Sequence, residues 1–133
     1  MNAKKIWASF LVVVVIGALM VVANANAAGA ETRLRAQLAG AAINGVVPKG
    51  QSEFRARTAS TQFKVQVEDV NLADGSTLNV LLNNNPIGQI TLALRRGSLQ
   101  LNTGDGDAIP PGGLGSTIVV TNQSGATIVA GSF

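Results

Sequence analysis

The sequence contains no cysteine, no histidine and no tyrosine, and its only tryptophan is Trp7. Without cysteine the fold has no disulfides, so its stability has to come from packing and hydrogen bonds. Histidine is the usual general base of active sites and cysteine a strong nucleophile, and a Ser-His-Asp triad is impossible here. Zinc and copper centres depend on the same residue types. We therefore predict a protein that is not an enzyme and has no cofactor.

The first 27 residues have the pattern of a secretory signal peptide. Lys4 and Lys5 form a short basic start, residues 6–22 are apolar and uncharged, and small residues follow in two overlapping Ala-x-Ala registers. We favour cleavage after Ala27. The alternative is an uncleaved membrane anchor, because the apolar run is just long enough to span a bilayer. The pattern predicts a secreted, periplasmic or cell-surface protein that meets a membrane only transiently, through this segment.

Cleavage would change the charge balance of the chain. The whole sequence has ten Lys and Arg against seven Asp and Glu, and the loss of Lys4 and Lys5 leaves eight against seven. A nearly neutral chain lacks the clustered excess of positive charge that marks nucleic-acid-binding proteins. It would also have no Trp or Tyr on which bases could stack. We predict no nucleic-acid partner.

Residues 28–133 show the period of half-buried β-strands in several short stretches. In 31–39, for example, Leu34, Ala36 and Leu38 share one face. No stretch has a sustained helical period. About eight short strands separated by turn residues predict a single all-β domain over residues 28–133. The specific prediction is an antiparallel β-sandwich of immunoglobulin-like size.

The strands on either side of residues 59–60 are predicted to form a hairpin. A tight turn there would pair Phe54 with Val65 and Ala56 with Phe63, so that inward residues meet inward residues. Phe54 and Phe63 would then point into the core.

A second hairpin is predicted with its two-residue turn at Arg96 and Gly97. This turn would place Leu94 opposite Leu99 on the inner face. Gly97 is the residue that tolerates the positive φ of such a turn.

Residues 28–133 resemble small exported bacterial all-β proteins of unknown function. The resemblance rests on residues 63–72, on Gly75 with Leu78 and Val80, and on 121–128 followed by 131–133. It implies an exported all-β domain and carries over no site residues.

Four arginines lie on the outward faces of two predicted strands. They are Arg33 and Arg35 on one strand, and Arg55 and Arg57 on the other, with Lys64 nearby. If these strands are neighbours, the guanidinium groups form a patch suited to polyanions, acidic glycans or phosphate head groups. The alternative is an ordinary solvated face on which Glu53 and Glu68 pair with the arginines.

The segment 102–107 presents oxygen ligands in a Gly- and Asp-rich loop, which suits a hard cation such as Ca²⁺. Asp105 and Asp107 are the candidate metal ligands. The spacing lacks the closing Glu of an EF-hand, and Gly and Asp also dominate ordinary turns. An ordinary turn is the alternative.

Together these patterns predict an exported, non-catalytic module for protein interaction or for a surface or structural role. Its partner would be a protein or a cell-surface component. The alternative is a ligand-binding protein for Ca²⁺ or acidic polymers, acting through the 103–115 loop or the arginine-bearing face. Self-assembly is a further hypothesis, in which the first strand or the last strand is an exposed edge that pairs between copies. The alternative is that the last strand pairs within its own chain and closes the domain.

Overall fold

The computed structural model describes residues 31–133, which form eight β-strands and one short 3₁₀ helix. Within this part of the chain, no helix has the length and apolar character needed to cross a membrane. The strands are β1 (Glu31–Ala39), β2 (Lys49–Arg57), β3 (Thr61–Glu68), β4 (Thr77–Leu82), β5 (Asn85–Thr91), β6 (Gly97–Asn102), β7 (Thr117–Thr121) and β8 (Thr127–Ser132), with the 3₁₀ helix at Thr103–Asp105.

All eight strands belong to one antiparallel sheet in the order β5-β4-β7-β8-β1-β2-β3-β6, which is nearly barrel-shaped. The all-β prediction is therefore confirmed. The two-sheet sandwich is not confirmed, because every strand is joined to the next by backbone hydrogen bonds in a single sheet. The predicted signal peptide and its cleavage site lie outside the described residues.

The two end strands, β5 and β6, meet without a backbone ladder in the described part of the chain. The connecting turn contains one bridge, in which the backbone groups of Ala93 and Arg96 exchange hydrogen bonds of 2.9 and 3.2 Å. Further along, Leu99 packs over Gly88, where an added Cβ would lie 2.7 Å from the Leu99 Cδ2 atom. Side-chain packing therefore closes this seam, and glycine at position 88 lets the two strands approach.

The core is built from the inward residues of the alternating pattern, which are buried on seven of the eight strands. The predicted inward positions of Phe54 and Phe63 are confirmed, at 5% and 0% exposure. Phe133 packs against both rings, with centroid distances of 6.2 and 6.4 Å. The buried apolar residues are Ala36, Leu38, Phe54, Phe63, Val65, Val67, Val70, Leu78, Val80, Leu82, Ile90, Leu92, Ile118, Val120, Ile128 and Val129.

The β2–β3 hairpin forms, but the predicted register is wrong by two residues. Phe54 lies opposite Phe63 and not opposite Val65. The chain reverses one residue earlier than expected, and the Arg57 N–H donates to the Ser60 carbonyl at 2.8 Å. A two-residue shift leaves every side chain on its predicted face, because the period of a strand is two.

The turn between β5 and β6 is also misplaced in the prediction, and in the described residues these two strands do not form the ladder of the predicted hairpin. The turn residues are Leu94 and Arg95, with φ of 54° and 67°. Leu94 is 80% exposed, so its predicted inward contact with Leu99 is wrong. Gly97 instead begins β6, where an added Cβ would lie 2.9 Å from the Thr91 carbonyl oxygen. This glycine serves close packing and not a positive φ.

The first and last strands are not edges of the sheet. β1 and β8 pair with each other, with Ala39 opposite Ala130. The expectation that β1 or β8 is an exposed edge is therefore wrong, and self-assembly stays a prediction. β7 and β8 are interior strands of the sheet. A bulge on β8, opposite Val120 and Thr121, buries both Ile128 and Val129.

Candidate functional site

Among residues 31–133, every charged residue located in a strand lies on the outer face of β1, β2 and β3, which we call the cationic face. Strands β4 to β8 contain no Asp, Glu, Lys or Arg. The cations of the face are Arg33, Arg35, Lys49, Arg55, Arg57 and Lys64, and its anions are Glu31, Glu53 and Glu68. Six cations against three carboxylates leave a positive excess on the strands of one side of the sheet, whereas the strands β4 to β8 carry no charge.

The alternation of the strands explains why these charges share one face. On β2, for example, Ser52 and Phe54 are buried, so the intervening Glu53 and Arg55 point outward. β1 lies beside β2 in the sheet, which is the neighbour relation that the sequence left open. The arginines of the two strands are therefore brought together.

Glu53 is the centre of the cationic face. Its Oε2 atom lies 3.5 Å from Arg33 Nε and 3.5 Å from Arg35 Nε. The Nη2 atom of Arg55 donates to the same oxygen at 3.5 Å. The Glu53 side chain is only 20% exposed, whereas that of Arg35 is 71% exposed. One sheltered carboxylate oxygen thus lies 3.5 Å from nitrogen atoms of three guanidinium groups.

Three further cations extend the face across β2 and β3. Lys64 lies directly opposite Glu53 in the β2–β3 ladder. Lys49 pairs with Asp69 across 3.8 Å in an exposed contact. Arg57 lies at the exposed end of β2. The arrangement has no nucleophile and base in hydrogen-bond contact, and its chemistry is that of anion recognition by oriented guanidinium groups.

The loop proposed for Ca²⁺ uses its oxygen atoms to build a turn. The Asp107 carboxylate accepts a bond of 3.0 Å from the Asn102 N–H, and the Asn102 side chain accepts one of 2.8 Å from the Gly104 N–H. Asp105 is exposed in the 3₁₀ helix. Residues 31–133 contain no group of three or more acidic, His or Cys side chains placed to share a metal. The calcium site at Asp105 and Asp107 stays a prediction.

A shallow groove of about 330 Å³ lies at one end of the strands, away from the cationic face. Gln123 spans it and donates to the Thr77 carbonyl at 2.9 Å. Its lining is Leu72, Ser76, Thr77, Leu78, Asn122, Gln123 and Ser124, with no charged side chain. The groove therefore supplies no acid or base for catalysis.

Sequence reasoning identified the four arginines and named Glu53 as a pairing residue, but it did not find Leu94 as an exposed side chain. The signal for Leu94 was weak, because neither Leu nor Arg favours a two-residue turn.

Comparison of the chain with protein-family models, with curated proteins and with solved structures found no match.

Proposed function

We propose that this chain is an exported, non-catalytic binding module that holds acidic polymers on its cationic face. The observation that carries the proposal is the convergence of Arg33, Arg35 and Arg55 on the single carboxylate of Glu53. Because this carboxylate holds the guanidinium groups in place before a ligand arrives, less side-chain entropy is lost on binding.

The layout of the face suits a polymer better than a single small anion. Neighbouring strands are about 4.8 Å apart, and alternate residues of one strand about 6.7 Å. A chain of sulfate or carboxylate groups lying across β1 and β2 would therefore meet several cations at once. Arginine presents parallel N–H donors that match these groups.

Two further predictions belong to the same proposal. The basic, apolar and small-residue pattern of residues 1–27 supports export to the cell surface, the periplasm or the medium. The lack of a backbone ladder between β5 and β6 in the described residues supports the sandwich, because the sheet is not closed into a barrel by hydrogen bonds.

The test is the affinity of the 28–133 segment for heparin, measured by calorimetry and by the salt concentration that elutes the protein from a heparin column. This segment contains the compact unit Thr32–Phe133 with its own core. The Arg33→Gln/Arg35→Gln variant should bind at least about tenfold more weakly, because two charge-assisted contacts are lost.

The matched control is Arg95→Gln/Arg96→Gln, which removes the same charge from a turn outside the cationic face. It should bind heparin almost as well as the unmodified segment. Equal weakening in both variants would show that net charge and not the cationic face governs binding, and would overturn the proposal.

A further inference from the structure

Three two-residue turns in the described chain place both of their residues at positive φ. They are Asn44-Gly45 (50° and 83°), Asn83-Asn84 (52° and 67°) and Leu94-Arg95 (54° and 67°). Asn and Gly are the residues that adopt this left-handed conformation most readily, whereas other side chains bring Cβ too close to the backbone. The third turn therefore carries residues that its backbone does not favour.

The surrounding structure holds this strained turn in place. The Leu94 N–H donates to the Asp74 carboxylate at 2.8 Å. The Arg95 carbonyl accepts a bond of 2.9 Å from the Val70 N–H. The Leu94 side chain contributes nothing to the core in return, since it is 80% exposed. Strain that is maintained without a packing benefit is typical of functional positions.

Residues 70 and 71 are bonded both to this turn and to a second turn that precedes an exposed apolar side chain. Val47 is 61% exposed and follows the Asn44-Gly45 turn, which is tied to the same 70–71 segment by a 3.4 Å bond from Asn71 Nδ2 to the Ile43 carbonyl. Arg95 and Arg96, next to Leu94, are both exposed. This end of the molecule therefore combines a projecting leucine with two flanking guanidinium groups.

We infer that the Leu94–Arg96 turn docks on an anionic lipid surface, with Leu94 entering the interface and Arg95 and Arg96 on the lipid phosphates. A projecting turn with one or two apolar side chains is too small for a specific protein interface, which buries about 800 Å² on each partner. Binding to a membrane surface instead adds up from a few apolar side chains and from cations near the head groups, each worth roughly fivefold in partitioning. This contact is independent of the cationic face and of the predicted signal segment.

The experiment measures co-sedimentation of the 28–133 segment with vesicles of phosphatidylcholine and phosphatidylglycerol, and with vesicles of phosphatidylcholine alone. The Leu94→Asn variant keeps every charge and gives the turn a residue that its backbone favours. We expect it to bind the anionic vesicles about tenfold more weakly, because the apolar side chain is lost. Its Tm should rise, because strain is relieved. Loss of binding together with a gain in stability excludes misfolding as the cause.

Two matched variants and one second assay complete the test. Leu114→Asn removes the other highly exposed leucine, which is 84% exposed and lies in the loop that follows β6, and should leave vesicle binding unchanged. Leu94→Met keeps an apolar side chain and should retain binding. Heparin affinity should be the same in Leu94→Asn as in the unmodified segment, which separates this site from the cationic face.

Three outcomes would overturn the inference: no binding of the unmodified segment to anionic vesicles, equal weakening by Leu114→Asn, or unchanged binding of Leu94→Asn. The first would leave the exposed turn to a protein partner with an apolar pocket. None of them bears on heparin binding, so failure here and failure of the proposed function remain distinguishable.

Discussion

Two groups of strands bury the same kind of inner face but present different outer faces. The first group is β1, β2 and β3, and the second is β5, β4, β7 and β8. Within residues 31–133, the first group carries all the charged residues found in strands. The second group carries none, and its outer surface includes a cross-strand row of Leu81, Val119 and Ala130. The inner faces are alike because they share one core. The outer faces differ because packing does not constrain them, so a binding function is better sought there.

The largest expected change in the free energy of unfolding tests whether the two inner faces belong to one core. Phe63 on β3 and Leu82 on β4 are both 0% exposed. Truncation to Ala should lower the free energy of unfolding by about 3–5 kcal/mol for Phe63 and about 2–5 kcal/mol for Leu82, because each leaves a cavity. Denaturant unfolding of the 28–133 segment measures both. A loss confined to one of the two groups of strands would contradict a single shared core.

A smaller effect is expected where the two groups of strands meet, at β8 and β1. A Cβ at Gly131 would collide with the Gln37 carbonyl and would lie 2.8 Å from Leu38 Cδ2. Gly131→Ala should therefore destabilise the fold by about 1–3 kcal/mol through overpacking.

The control for this substitution is Gly113→Ala, since a Cβ there meets nothing within 4 Å and its φ is not positive. Its free energy of unfolding should stay close to that of the unmodified segment. If Gly131→Ala also left the free energy of unfolding unchanged, the result would contradict the close contact between β8 and β1.

The smallest expected change in stability tests the difference in charge between the two outer faces. Glu53→Gln leaves three guanidinium groups near one another without their shared carboxylate and should cost up to about 1 kcal/mol at low salt. This loss should shrink as salt screens the repulsion.

The comparison on the uncharged side is Gln89→Ala, which removes an exposed 3.1 Å bond from Gln89 Nε2 to Asn79 Oδ1. Its small effect should not depend on salt. Thermal unfolding of both variants across a salt series is the measurement. The same salt response in both would show that the charge difference between the two outer faces has no effect on stability.

The side of the sheet to which each residue points could be predicted from the sequence more reliably than the residue that lies opposite it on the neighbouring strand. Phe54 and Phe63 were placed in the core from parity alone, and both are buried. Their pairing was missed because residues 58–60 carry no Asn-Gly signal to mark the turn. Leu94 was missed for the same reason. The left-handed turn is held by bonds from the Leu94 N–H to the Asp74 carboxylate and from the Val70 N–H to the Arg95 carbonyl. Turn geometry that depends on distant residues leaves no local pattern.

By itself the sequence determined the all-β class, the inward and outward faces of the strands, and the exclusion of chemistry that needs His or Cys. These follow from composition and from a period of two, which are local properties. Only the tertiary structure decided that the strands form one sheet, that β1 lies between β8 and β2, and that three arginines share one Glu53 oxygen. Strand neighbours are chosen by core packing between segments far apart in the chain, and no local pattern records that choice.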